Sequence, residues 1–232
     1  MRDSGATYGA AAGAVGIALY VAGALVMGDR PGFDATGAEL AAHLDERRTR
    51  IQAASAIHAA WPPLFIWFLA TVASLARDAG PGARRAAAVA FGCGLVFVAL
   101  FLADVTALAV SALRPENLAA APELAVALRD FEWIAMGMAA FVTAGTLGAF
   151  AVLAIRHGAV WPRWLGWLAA IAAPLYALRV GTLFTTDGPF AADGVLGLYV
   201  PVSAVAAWVV VASVVLALDV RGRGRAGARR GA

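Results

Sequence analysis

Apolar residues fall into six long stretches along this chain, roughly residues 7–28, 54–76, 86–113, 131–155, 164–186 and 195–218, and the segments between them hold nearly all of the charge. About 20 apolar residues carry a helix across the hydrocarbon core of a bilayer, where only a helix or a closed barrel satisfies its own backbone hydrogen bonds. The pattern predicts an all-α protein, an integral membrane bundle of six transmembrane helices.

The connections differ in length, and only residues 29–53 have room for structure of their own. There Thr36-Gly37-Ala38-Glu39 has the form of a capping box, and Leu40, Leu44, Arg47 and Ile51 follow at helical spacing. A short outer amphipathic helix between spans one and two is expected, lying at the interface and bending into the second span. Glu39 and His43 stand at i and i+4 on it, a spacing that can hold a metal, but two ligands do not make a site and a solvated helix face is the expectation. Pro122-Glu123 suits a second helix N-terminus, from which Leu124, Leu128 and Phe131 lead into span four. The 77–85 and 156–163 turns are short, so spans two and three, and four and five, are expected as tight antiparallel hairpins. Arg77/Arg84 and Arg156/Arg163 repeat one spacing in these turns, through either an internal duplication or the placement of positive charge at one membrane face.

Composition narrows the picture: 62% of residues are hydrophobic and 14% charged, against about 25% charged in soluble domains. Residues 1–220 read as a single six-span membrane domain and 221–232 as an Arg/Gly-rich tail expected to be disordered. The first stretch exceeds the roughly 7–15 residues of a signal-peptide core and reads as an uncleaved helix. Cys93, alone in the third stretch, has no intrachain disulfide partner and is expected as a buried, inert thiol.

Arginine supplies all 18 basic residues and is unevenly placed. Six alternating spans put Arg2, the 77–85 and 156–163 turns and the tail on one face, with 11 arginines and three acids; the 29–53, 114–132 and 187–194 loops on the other carry six arginines and 11 acids. Positively charged loops stay in the cytoplasm, so both termini are expected there, and the protein in a bacterial inner membrane. The tail's five arginines add attraction to anionic lipid head groups, about 1 kcal/mol each near the surface. No aromatic residue interleaves them, so nucleic acid is not an expected partner.

Ionisable residues inside the spans are few. Asp104 lies in the third and Arg179 in the fifth, with His58 and Glu132 near the entrances of the second and fourth. Such groups cost several kcal/mol unless paired, which makes each a functional candidate. At 1.5 Å per residue, Asp104 lies about 14 Å, Arg179 about 10 Å and His58 about 6 Å below the outer helix ends, with Glu132 at the rim. This common level admits two readings: a polar pocket, with Thr106, Thr182, Tyr199 and Ser203 at similar depths, or an Asp104–Arg179 salt bridge that braces two helices. Pro62-Pro63, Pro174 and Pro201 are expected to kink their helices, as transporter helices often do. Glycines 5, 9 and 13 in span one, and 137, 145 and 148 in span four, suit close helix packing or a homo-oligomer.

Enzyme motifs are missing: no G-x-S-x-G, H-E-x-x-H, C-x-x-C or phosphate loop occurs, and transmembrane haem would need a second histidine beside His58. No cofactor or metal is expected. At Val160-Trp-Pro-Arg-Trp-Leu-Gly-Trp167, after Arg156-His-Gly, the chain resembles a family of uncharacterised bacterial multi-pass membrane proteins, a domain-of-unknown-function family. That resemblance implies a fold and no activity; mechanically, Trp161, Trp164 and Trp167 with Arg163 suit an interfacial anchor for span five. The leading reading of the sequence is a non-enzymatic membrane protein with an interaction or regulatory role. The alternative is a small-solute or ion transporter that uses the cluster of Asp104, Arg179, His58 and Glu132.

Overall fold

The structure, a computed structural model, describes residues 2–230, with side chains described for residues 5–220. It contains α1 (Arg2–Met27), α2 (Gly37–Glu46), α3 (Arg48–Leu75), α4 (Pro81–Leu113), α5 (Pro115–Ala120), α6 (Pro122–Met138), α7 (Ala140–His157), α8 (Arg163–Ala177) and α9 (Val200–Arg230). Six helical segments are long and apolar enough to cross a membrane: Gly5–Met27, Arg48–Ala79, Pro81–Leu113, Pro122–His157, Arg163–Leu183 and Val195–Val220. The all-α, six-span class holds. The disorder expected of residues 221–232 concerns a tail whose side chains lie outside the described residues.

Each span packs on its neighbours in sequence, and α1 also packs on α9, so the six close into a ring. Glycines let the seam close. A Cβ at Gly9 would overlap Thr71 on α3, and one at Gly13 would overlap Ser213 on α9 and press on Phe68. Two of the glycines of span one therefore serve packing inside the ring, whereas Gly5 and Gly148 face open space.

Both expected hairpins are present. Gly80 turns the chain at φ 96° with Pro81 at the first position of α4, and Gly158 ends α7 in the left-handed conformation, φ 57°. Beyond Gly158, the Trp161 N–H donates to the Ala159 carbonyl at 2.8 Å across Val160, whose φ is 68°. This is a γ-turn of the strained kind, in a β-branched residue that resists positive φ. The turn drives Trp161 inward. Its indole is 3% exposed, donates from Nε1 to the Ala212 carbonyl at 3.0 Å, and packs edge-on against Phe150 and Trp208, ring centroids 5.2 and 5.3 Å away. Trp208 in turn donates to the Leu165 carbonyl at 3.0 Å. The expected three-tryptophan anchor is thus divided: Trp164 and Trp167 are exposed, and Trp161 belongs to the core.

At the opposite end of the ring, Leu40, Ala41 and Leu44 of α2 join Met27, Ile51, Leu108 and Leu118 in a second, smaller core. Gly37 allows this, because a Cβ there would meet the Pro122 carbonyl at the start of α6. The capping box is formed: Thr36 N–H donates to Glu39 Oε2 at 2.8 Å and Glu39 N–H to Thr36 Oγ1 at 3.3 Å. Thr36→Ala is expected to cost α2 about 1 kcal/mol, seen as roughly fivefold weaker hydrogen-exchange protection of its first turn; unchanged protection would show that packing alone holds the helix. Hydrogen bonds from the Thr36 backbone and then its hydroxyl hold the Glu39 carboxyl below its usual value of 4.5. A depressed folded value means that the box is complete above that pH, and its protection declines as pH falls through the lowered value.

Candidate functional site

The ring encloses a cavity of about 270 Å³. Its wall on α4 is the stripe Gly94, Phe97, Phe101, Asp104 and Leu108, which recurs at steps of three and four and so lies on one helix face. From Gly94 to Leu108 it runs 14 residues, about 21 Å of a hydrocarbon core about 30 Å thick. Aromatic side chains of the neighbouring helices complete the wall. Trp61 of α3 lies 5.0 Å from Phe101 and 5.3 Å from Phe65, and Tyr20 of α1 lies 6.1 Å from Phe101, centroid to centroid. Phe150, stacked on Trp208 at 5.0 Å, also lines the cavity, so the tryptophan core of the α7–α8 turn lies behind its floor.

Three of the four nominated residues, Asp104, Arg179 and His58, line this cavity, and Glu132 lies just beyond it. The salt bridge expected between Asp104 and Arg179 does not form. Among the described residues neither makes a hydrogen bond or an ion pair, and the Nε of Arg179 is a buried donor without an acceptor. Depth along two helices says nothing about the direction in which each side chain leaves its helix, and here both project into the space between. Arg179 is 4% exposed, with its guanidinium 6.0 Å from the Tyr176 ring. It sits on a 3₁₀ segment, Leu178–Leu183, that continues α8 through Val180, Gly181 and Thr182, poor formers of α-helix. Irregular backbone at membrane depth is tolerated where it lines a cavity, as it does here.

Glu132 is not at a solvated rim. It is 2% exposed and takes an ion pair from Arg30. Gly28 makes this contact: with φ 70° it ends α1 and turns the chain so that Arg30 comes back over the bundle and lies 5.6 Å from the Trp133 ring. Arg129 fastens the same segment, donating to the Gly32 and Ala35 carbonyls at 3.3 Å each and covering the Phe33 ring at 4.8 Å. Residues 28–35 thus form a strap clipped to α6, and Gly28, Arg30 and Trp133 roof the cavity at the α2 end. Arg30 was hidden among loop charges in the sequence. The available signal was its position two residues after a glycine at the end of a span, close enough to the bundle to fold back onto it.

His58, 6% exposed, donates from Nε2 to the Tyr20 carbonyl at 3.1 Å and stacks on the Tyr20 ring at 5.3 Å. Gly23 leaves room for it, since a Cβ there would overlap the imidazole. The contact wedges α1 against α3 and keeps the proton on Nε2. Thr106, Thr182, Tyr199 and Ser203 do not line the cavity. Thr106 stands two residues, about 200° around α4, from Asp104, and its exposed hydroxyl donates to the Leu102 carbonyl at 2.7 Å. Thr143 and Thr146 of α7 line it instead, each bonded back to its own helix at 2.9 and 3.0 Å. No third ligand joins Glu39 and His43 among the described residues.

Fold and site define a class: a multi-pass membrane protein whose ring of helices surrounds an aromatic cavity with unpaired charges. No family model, curated protein or solved structure matches this chain.

Proposed function

We propose that the protein binds a small solute in its central cavity and moves it across the membrane. One observation carries this reading over that of a structural brace or interaction subunit: among the described residues Arg179, buried at membrane depth, has no acceptor for its guanidinium and faces a cavity that Asp104 also faces unpaired. A brace would have closed that pair, because an uncompensated buried charge costs several kcal/mol. The 3₁₀ segment under Arg179, the break in span four at Ala139 and the π-helical turn Val195–Tyr199 before α9 support it, since interrupted helices surround the midplane sites of many transporters.

Purified protein screened by thermal shift against sugars, amino acids, organic anions and organic cations should be stabilised by at least one class. The shift should vanish in Ala206→Phe, which fills the cavity from α9. Silence across all classes, together with no solute counterflow in proteoliposomes, would return the protein to an interaction or regulatory role.

The same proposal places the protein in a bacterial inner membrane with both termini in the cytoplasm, the strap over the cavity outside and the tail arginines against anionic lipid. In a Cys93→Ser background, a cysteine at Asp193 should be labelled from outside and one at Asp78 only from inside; both positions are exposed. The reverse pattern overturns the orientation. A homo-oligomer, if formed, would use the open glycines Gly5 and Gly148.

A further inference from the structure

The side chains that the cavity leaves without partners describe the solute it fits. Arg30 and Glu132 pair with one another, and among the described residues the Arg179 guanidinium and the Asp104 carboxyl remain on the cavity wall without a hydrogen bond or ion pair. A purely anionic solute would pair with Arg179 and bring a like charge toward Asp104. A purely cationic one would do the reverse, and a neutral one would leave the Arg179 charge stranded. Only a solute that carries both signs satisfies both groups and keeps the site balanced.

The walls give its body. Asp104 lies one helical turn beyond Phe101, and the rings of Phe101, Trp61 and Tyr20 gather beside it with centroids 5.0 to 6.4 Å apart. Ring faces attract ammonium groups and offer apolar area to a flat solute. A guanidinium presents a planar fork of donors that matches a carboxylate. A cavity of about 270 Å³ has room for a single-ring solute.

From this arrangement we infer that the solute is an amino-acid-like zwitterion with an apolar, ring-bearing body, its amine at Asp104 and its carboxylate at Arg179. The inference rests on the small-solute reading of the same cavity and narrows it to one chemistry.

Three probes that share a body separate the two subsites: phenylalanine, 3-phenylpropionate, which lacks the amine, and 2-phenylethylamine, which lacks the carboxylate. With full-length protein in lipid nanodiscs, phenylalanine should bind at least about tenfold more tightly than either half-probe, the factor that 1.4 kcal/mol represents. Arg179→Gln should bring phenylalanine down to the level of phenylethylamine without weakening phenylethylamine itself. Asp104→Asn should bring phenylalanine down to the level of phenylpropionate without weakening phenylpropionate. A merely structural role would weaken all three probes together. Equal binding of phenylalanine and phenylpropionate overturns the amine subsite, and equal binding of phenylalanine and phenylethylamine overturns the carboxylate subsite; either result leaves the small-solute reading standing. Silence with all three probes overturns the inference, and the broader solute screen then decides the wider reading separately. If either variant fails to purify, the comparison of the three probes on the wild-type protein decides alone.

Discussion

Arg30→Ala is expected to destabilise the protein by about 3–5 kcal/mol, the usual cost of stranding one member of a buried ion pair. The loss should be unequal between the partners. Glu132 has a side chain only 3% exposed and nowhere to take its charge, whereas Arg30, at 31%, can reach water when its partner is removed. Glu132→Leu should therefore cost much less, toward the roughly 0–1 kcal/mol of an exposed pair. Arg30→Ala/Glu132→Leu should recover most of the loss, because an apolar residue has no charge to desolvate. Thermal unfolding of the four proteins in one lipid or detergent system measures the cycle. Equal losses for the two single variants, adding in the double, would mean that the strap is held by Arg129 and Phe33 and not by this pair.

Trp161→Ala carries the other large expectation, about 3–5 kcal/mol, since it removes a fully packed aromatic side chain from the core behind the cavity floor. Trp161→Phe keeps most of the packing and forfeits the bond to the Ala212 carbonyl, a loss of about 1 kcal/mol. The interfacial-anchor reading makes the opposite prediction, with both changes near neutral. Trp164→Ala, at an exposed position on the next turn, is the matched control and should be mild.

Trp161 also shows where the sequence was legible and where it was not. Length and apolarity located all six spans, because the bilayer imposes one thickness on every crossing and leaves the same mark each time. The α2 cap was legible for a similar reason: Thr36 and Glu39 interact with their own backbone, and the motif is complete within four residues. Trp161 was misjudged because tryptophan is at home both at a membrane interface and in a core, and only the reversal at Val160, an unusual conformation for a β-branched residue, sends it inward. The cluster was partly legible. Helical rise put Asp104, Arg179 and His58 near one level, and the structure brings all three to one cavity. Rise cannot show how the helices are turned about their axes, so the Asp104–Arg179 bridge was expected where a gap exists, and Thr106 was assigned to a pocket from which its helix turns it away. Nor could it pair Glu132 with Arg30, two residues 102 apart in the chain that meet only because Gly28 folds the strap back.

The closed ring fixes an order of events during synthesis. The wall of the cavity is incomplete until α9 reaches α1, and α9 follows the other five spans out of the ribosome, so Asp104 and Arg179 are made before they have a shared interior to face. In that interval the chain displays two ionisable side chains to lipid or to the insertion machinery, each costly at membrane depth until it has an interior to face. Docking of α9 at the Gly13–Ser213 seam ends the exposure. Chains cut short before α9, or blocked at that seam by a larger residue at Gly13, should accordingly be short-lived in the cell even though every remaining span inserts.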